Sequence, residues 1–525
     1  MACPTIRHRG RYSLWLAPSK SVTRQGYDSR APVRSAIILR MARLSKSRIM
    51  SSLQCLKRVH LEVHRPELAS YSVATRAAFE LGHQVGDIAV ELYGKGQGEY
   101  IPYTKAQHRA LERTRELLDG LFQAPVFEAT LQHEGVLVRE DVLLPEPEGW
   151  HIIEVKASTS LKPQYVQDCA IQAWVHEGAG YPFAKISLAH VDNQFVYGGD
   201  GDYSGMLTET DLTDPVRELL PSVSVRVEHA RRAVEGPEPD IAVGAQCYAP
   251  YECPFVGHCW PWDSDYPVQG LMGSRKKLGA LVAAGYRDLR EVPAEELDSE
   301  THLRIRRVTR AGQAEILPDA GEFVRALPYP RYYLDFETVG PPVPLWPGTR
   351  PYQAVPFQWS CHIEREGGAL DHEEFLDLSG QAPMRACAER LLAAIGTDGP
   401  VLVYTAYEKG VISGLAQRFE DLAPALEAVL ERLVDLAPVT KAAYYHPDML
   451  GSWSLKAVLP TIGADLDYSA LEGVHEGTEA SAAYLKAIAP DADAAEVERV
   501  RGQLLEYCRY DTLALVELAR FFARH

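Results

Sequence analysis

The chain has 525 residues, too many for one ordinary hydrophobic core, so length alone favours two or more domains. Its composition, 46% hydrophobic and 24% charged, is that of a globular protein, and no run of about 18 apolar residues is present to span a membrane. A formal net charge of −17 argues against a surface wholly wrapped in nucleic acid, which Lys and Arg would have to neutralise, but it is compatible with carboxylate clusters that hold divalent cations and with local basic grooves.

The first 40 residues are basic and Ser/Arg-rich and lack the apolar stretch and cleavage site of a secretory signal, so a cytoplasmic protein is expected. Met41 opens the better-patterned text MARLSKSRIMSSLQC and is the expected start; residues 1–40 are then a disordered extension or lie upstream of the true protein. Residues 41–265 read as a mixed α/β domain. Within it, EGVLVREDVLLPEPEGWHIIEVKAS predicts two strands about a PEPEG turn, with Val136, Val138 and Val142 on one side and Ile152, Ile153 and Val155 in the return strand. Asp141 lies on the first strand, while Glu154 and Lys156, two apart, leave the same face of the second. Charges directed into a sheet cost energy unless a metal or a partner compensates them; an exposed hairpin is the plainer alternative. In the following predicted helix Asp168 and Gln172 stand at i and i+4, on the side of the hairpin carboxylates.

The domain closes on CYAPYECPFVGHC, which spaces Cys247, Cys253 and Cys259 six apart, with Cys55 far upstream. Soft thiolates in such a group select an iron–sulfur cluster or zinc. Cys3, Cys169, Cys361, Cys387 and Cys508 are scattered and read as core or surface thiols. Residues 266–326 read as short basic helices, a helical linker in which Leu278, Leu281 and Val282 precede a Gly285 C-cap, or half of a helix-hairpin-helix.

Residues 327–525 form the last predicted unit. The aromatic strand ALPYPRYYLDFETVG carries Asp335 and Glu337 on one face, and Glu408 follows a strand and short turn in VLVYTAYEKGVI, with Asp435 as the alternative acid. A long terminal helix, roughly 495–522, sets Tyr507 and Asp511 at i and i+4. Lys456 is placed to meet a phosphate, and Trp346, Tyr352, Phe357 and Trp359 serve either to stack bases or to fill the core.

The Asp, Glu-x-Lys and Gln-bearing helix resemble the PD-(D/E)XK nucleases, specifically the RecB-like branch, which implies catalytic and metal-binding roles for Asp141 and Glu154 and catalytic roles for Lys156 and Gln172. That branch carries a His in an upstream Gly-x-x-x-His helix, whereas GHQVGDIA has Gly86 there, with His83 or Asp87 as substitutes. One distant Cys plus a C-terminal trio resembles the iron–sulfur staple of RecB-like nucleases and implies a [4Fe-4S] cluster on Cys55, Cys247, Cys253 and Cys259, zinc being the alternative. Asp-x-Glu on a strand with Tyr-x-x-x-Asp on a terminal helix resembles the DEDD exonucleases of RNase-H-like fold. In that family four carboxylates hold two metal ions, which implies Asp335, Glu337, Glu408 and Asp511 as ligands and Tyr507 as the residue that orients water; Glu408 departs from the usual Asp.

From about 45 to 522 the chain resembles a bacterial family that fuses these two domains. The resemblance implies an α/β protein acting as a Mg²⁺- or Mn²⁺-dependent nuclease, a 3′ to 5′ exonuclease on DNA in preference to RNA, working in repair or defence beside a helicase or defence-complex partner. A nucleic-acid-binding scaffold with one or both sites inactive is the competing expectation. A phosphotransfer enzyme or nucleotide hydrolase on an RNase-H-like core is disfavoured, because no Gly-rich phosphate loop of P-loop type precedes a Lys-Ser/Thr pair.

Overall fold

Two β-sheets organise residues 44–525, which the computed structural model describes apart from positions 121 and 465. The expectations about residues 1–40, the start at Met41 and Cys3 lie outside the described residues. The first sheet has seven strands: β1 (Leu44–Ser45), β2 (Glu99–Tyr100), β3 (Val126–His133), β4 (Val136–Glu146), β5 (Gly149–Lys156), β6 (Phe183–Val191) and β7 (Leu207–Asp211). Their order is β2-β3-β4-β5-β6-β7, with β1 paired to the start of β4. β3, β4 and β5 form an antiparallel meander, and β6 returns parallel to β5. Such a crossover requires an intervening helix. Around the sheet lie α1 (Lys46–Gln54), α2 (Leu56–His64), α3 (Val73–Gly94), α4 (Gln107–Asp119), the crossover helix α5 (Pro163–Gly178) and α6 (Thr213–Glu235). Pro163 opens α5, where its fixed φ suits the helix and its missing N–H costs nothing.

Simple alternation along β4 fails at one point, and the failure sets the geometry of the first acidic group. Val136 and Val138 pack into the core that includes Ile171 and Val175 of α5 and Val223 of α6. Val142, expected on the same side, instead packs with Phe127, Ile153 and Ala189 on the face that carries Val90 and Tyr93 of α3. The switch occurs where Glu128 of β3 adopts a left-handed backbone, φ 59°, opposite Asp141 in the ladder. Glu140 meets His176 of α5 at 3.0 Å, both fully buried, while Asp141 meets β5.

The C-terminal sheet has five strands: β9 (Arg331–Val339), β10 (Val355–Glu364), β11 (Leu370–Leu376), β12 (Val401–Val403) and β13 (Leu433–Asp435); β8 (Glu315–Ile316) and β14 (Tyr444–Tyr445) pair separately. The order is β11-β10-β9-β12-β13, with β10 antiparallel to both neighbours and β12 parallel to β9 and β13. Tyr332, Leu334 and Phe336 of β9 enter one apolar core, so Tyr333, Asp335 and Glu337 point to the other face. That face is covered by α17 (Ala494–Arg524), the terminal helix, whose Asp493 N-cap accepts from Ala495 and Glu496 N–H groups. The remaining helices are α7 (Val256–Cys259), α8 (Arg275–Ala283), α9 (Glu300–Ala311), α10 (Pro318–Ala326), α11 (Met384–Ala394), α12 (Tyr407–Arg418), α13 (Ala423–Leu430), α14 (Leu436–Ala443), α15 (Leu455–Val458) and α16 (Gly477–Ala487).

Residues 266–326 are core rather than tether. Leu278, Leu281, Leu289, Val292, Ile305 and Val308 share one buried cluster with Phe255 and Trp260 on one side and Tyr444, Leu518 and Phe522 on the other. α8 does end before a left-handed Gly285, but residues 284–299 separate it from α9, too long for the tight turn of a helical hairpin. No described helix is long and apolar enough to cross a membrane.

Candidate functional site

The first acidic group assembles from three elements. On β5, Glu154 is 1% exposed; its Oε1 accepts from Lys156 Nζ and from Lys46 Nζ at 2.8 Å, and its Oε2 accepts from Gln172 Nε2 at 2.6 Å. Asp168 of α5 receives Lys156 at 2.8 Å and Lys46 at 3.1 Å. Asp141 accepts the Val155 N–H at 2.7 Å. Glu154, Lys156 and Gln172 therefore meet together with Asp168, as their spacing leads one to expect, and Asp141 lies close enough to act on them through its charge. Lys46, in the first turn of α1, had no sequence signal, because its partner Glu154 lies 108 residues away.

Burial raises Asp141 well above the usual carboxylate range, with the charge of Glu154 adding to it. Burial acts on Glu154 the same way, yet Lys156 and Lys46 outweigh it and hold this carboxyl low. Both amines stay protonated, because Asp168 and Glu154 overcome their own burial. Glu128, across the ladder from Asp141, is raised by burial and pairs with Arg139 at 2.8 Å. His83 and Asp87 are exposed on α3; His83 acts on Glu128 through its field, and neither forms a described hydrogen bond to Asp141 or Glu154. Two ammonium groups thus stand against three carboxylates, and most of the charge is compensated by the chain itself.

The second group is different in kind. The ligand oxygens of Asp335, Glu337 and Asp511 lie within 4.8 Å of one another. Glu408, in the first turn of α12, is 3% exposed and contacts Asp335, and its Oε2 is buried with no hydrogen-bond partner. Burial raises all four carboxyls, and neighbouring acids add to it for three: Asp335 well above its usual value, Glu337 to about 8 and Glu408 to about 7, while Asp511 is raised by burial against the pull of Tyr468 and Lys456. Asp435, the alternative acid, is the N-cap of α14, and its Oδ1 accepts from Ala437 and Thr405 N–H groups at 2.9 Å each. It acts on Glu408 only through its charge.

Tyr507 and Lys456 border the same group. Lys456 Nζ donates to the Tyr507 hydroxyl at 3.2 Å and lies over the Tyr507 and Tyr468 rings, 5.0 and 5.2 Å from their centroids. Tyr468 donates to Asp511 Oδ1 at 2.5 Å, a partner that local periodicity does not reveal. A cavity of about 460 Å³ opens before these residues, lined among others by Asp335, Glu337, Asp511, Tyr507, Tyr352 and Tyr407. Of the four aromatics considered for stacking, Trp346, Phe357 and Trp359 are buried in the core, whereas Tyr352 is 37% exposed and faces this cavity.

Whether these residues fit a divalent cation follows from the donor set. Four carboxylates, Glu337 and Glu408 buried and Asp335 and Asp511 half-buried, with a single amine nearby are a hard-oxygen set that suits Mg²⁺ or Mn²⁺. A pH test follows. Because folding raises these carboxyl pKa values, the metal-free protein loses stability as pH climbs from the ordinary carboxylate range through about 8. A cation that needs the ionised forms restores it. Saturating Mn²⁺ is therefore expected to raise the melting temperature more at pH 8 than at pH 6; equal increments in a thermal melt at both pH values would contradict the cluster as a cation site.

The cysteines also converge. Cys55, which separates α1 from α2, and Cys247, Cys253 and Cys259 line one small enclosed cavity with Lys57, Arg58 and Phe255. All four are free thiols, and burial raises Cys259 and lifts Cys253 to about 11.

Residues 332–454 match the model of a domain family of unknown function, DUF2779. That stretch contains Asp335, Glu337 and Glu408 and stops short of Tyr507 and Asp511. Among curated proteins none matches the chain. A solved structure, that of SSO0001, aligns at 13% identity over 40% of this chain and 99% of its own, with a TM-score of 0.17, too low to support an argument about fold.

Proposed function

We propose that the protein is a metal-dependent nuclease that hydrolyses nucleic-acid phosphodiesters, with its principal site at Asp335, Glu337, Glu408 and Asp511. The observation that carries this reading is the uncompensated charge: acids of two strand positions, a helix start and the terminal helix converge where the chain supplies one lysine. The strand order β11-β10-β9-β12-β13, with the acidic strand central and α17 across it, supports an RNase-H-like domain of DEDD type. The meander β3-β4-β5, followed by α5 and parallel β6, likewise supports a PD-(D/E)XK domain around Asp141 and Glu154.

A divalent cation held by these carboxylates supplies Lewis-acid polarisation of the scissile phosphate. The chain's own groups do the rest. Tyr507, whose hydroxyl is held protonated by burial and by Asp511, orients the attacking water, and Lys456 offsets charge that develops on the phosphate. At the first site Lys156, kept charged by Asp168 and Glu154, has the same role. Arg306 and Arg310 of α9 line a surface cavity of about 460 Å³ beside Arg304 and Arg307, which pair with Glu315, and supply local positive charge for a phosphate backbone on an otherwise acidic protein.

The cysteine quartet belongs to the same reading as the holder of a [4Fe-4S] cluster. Four soft thiolates brought from two distant chain segments to one cavity suit a multi-iron cluster, with zinc as the alternative.

End-labelled single- and double-stranded DNA and RNA, incubated with Mn²⁺, test the proposal. Single-stranded DNA is expected to be trimmed by the wild type, in part by Asp141→Ala and Asp335→Ala, and not by the double variant. Cleavage that survives in the double variant would remove both sites; a wild type that binds DNA without cutting it would favour a nucleic-acid-binding scaffold.

A further inference from the structure

One loop runs from the second acidic group to the neighbourhood of the first. Residues 340–353 leave β9 shortly after Glu337 and lie on the N-terminal domain: Gly348 N–H donates to Tyr197 O at 2.7 Å, Tyr197 N–H to Thr349 O at 3.0 Å, and Tyr203 Oη to Pro344 O at 3.2 Å. Val343 enters an apolar cluster with Val85, Ile88, Val191 and Met206. The seam is therefore hydrogen-bonded and apolar rather than a passing contact.

Tyr352 sits at its centre and touches both halves. It lines the cavity before Asp335, Glu337 and Asp511, while its hydroxyl donates to the carbonyl of Ala157, the residue after Lys156. Tyr165, whose ring lies 5.6 Å from Lys156 Nζ, is close enough that, after burial, its charge is what raises Tyr352 to about 12. The backbone of Tyr352 is left-handed, φ 62°, a conformation that non-glycine residues seldom adopt, and it is held by its N–H donating to Pro341 O at 3.0 Å. Strain at an exposed aromatic between two candidate sites is of the kind found at ligand-contacting positions. Tyr407, 47% exposed, is a second aromatic residue lining the same cavity.

Resting on the nuclease reading above, we propose that the two sites serve one strand: single-stranded DNA runs from the Glu154 site across the 340–353 seam, with a base stacked on Tyr352, into the cavity before Asp335. Every base offers a π-face, so such a platform holds a strand without regard to sequence.

The test is a single-encounter assay. Labelled oligo-dT is bound to the full-length protein, and Mn²⁺ is added with an excess of unlabelled trap, so a strand cut by both sites arises only without release. The distinct product patterns of Asp141→Asn and Asp335→Asn identify each site's cuts. The wild type is expected to yield doubly cut strands, and an equimolar mixture of the two single-site variants none. Tyr352→Ala is expected to lower the ratio of doubly to singly cut strands about ten-fold, and Tyr352→Phe to keep it, with thermal melts showing that both variants are folded. Doubly cut strands from the mixture equal to those of the wild type, or a ratio unchanged in Tyr352→Ala, would overturn the shared strand while leaving two nuclease sites. Loss in Tyr352→Phe equal to that in Tyr352→Ala would overturn stacking. A wild type that cuts nothing would remove the nuclease reading itself, and this inference with it.

Discussion

Asp335→Asn is expected to abolish trimming at the C-terminal site and, at the same time, to raise the melting temperature of the metal-free protein. The two effects share one cause. Asp335 is half-buried beside Asp511, Glu337 and Glu408, and its ionised form is opposed by desolvation first and by those three charges next. Asparagine keeps the shape and removes the charge, so the metal-free fold gains by about 2–5 °C. Catalysis loses a ligand to a cation whose stabilisation of the transition state amounts to several kcal/mol, or about three powers of ten in rate. Gel assays of the Asp141→Asn background, where only this site remains, read the rate, and a thermal melt reads the stability. A metal-free Asp335→Asn that melts below the wild type would show that Asp335 is there to hold the fold together, as an ordinary buried polar residue is.

The second large effect concerns the cysteines. Anaerobically purified wild type is expected to be brown, with broad absorbance near 400 nm, and Cys253→Ser to be colourless and to melt lower by about 10 °C or more. Such a loss is out of proportion to replacing one sulfur by oxygen in an apolar site. It follows from where the quartet sits: Cys55 links α1 to α2 at the start of the domain, while Cys247, Cys253 and Cys259 lie at its end, against Phe255 and Trp260 of the core shared with the C-terminal half. Binding there ties chain segments some 190 residues apart, since Gln54 already reaches Gln246 O, so binding energy becomes folding energy. Colourless wild type with stoichiometric zinc would replace iron, and a Cys253→Ser protein with unchanged colour and melting would exclude the residue as a ligand.

Much of the site was legible because its pieces obey local periodicities. Asp335 and Glu337 share a face since strand side chains alternate; Tyr507 and Asp511 meet since a helix repeats every 3.6 residues; and Pro163 and the Asp493 cap mark helix starts that place Gln172 and Asp511. The mixed α/β class followed from the same reading. Where periodicity was interrupted, the reading slipped. Val142 turned to the opposite face because Glu128, a non-glycine residue, takes a left-handed backbone that no propensity foretells. The span 266–326 read as a linker because its short helices carry basic faces, yet Leu278, Leu281, Ile305 and Val308 of those helices help fill the core.

Residue types and their spacing by themselves determined which acids and thiols belong together within each strand, helix and loop, because those relations are local and geometric. Tertiary structure alone decided how the charge is balanced. Lys46 reaches Glu154 across 108 residues, Tyr468 closes on Asp511, and Glu408 is left with an oxygen that has no hydrogen-bond partner. It decided also that Tyr352, one aromatic among four, stands exposed between the two halves while the others are buried. Electrostatic energy depends on distance through space and on burial, neither of which is written in sequence separation, and so the group whose acids most need a cation was identifiable only once the chain had folded.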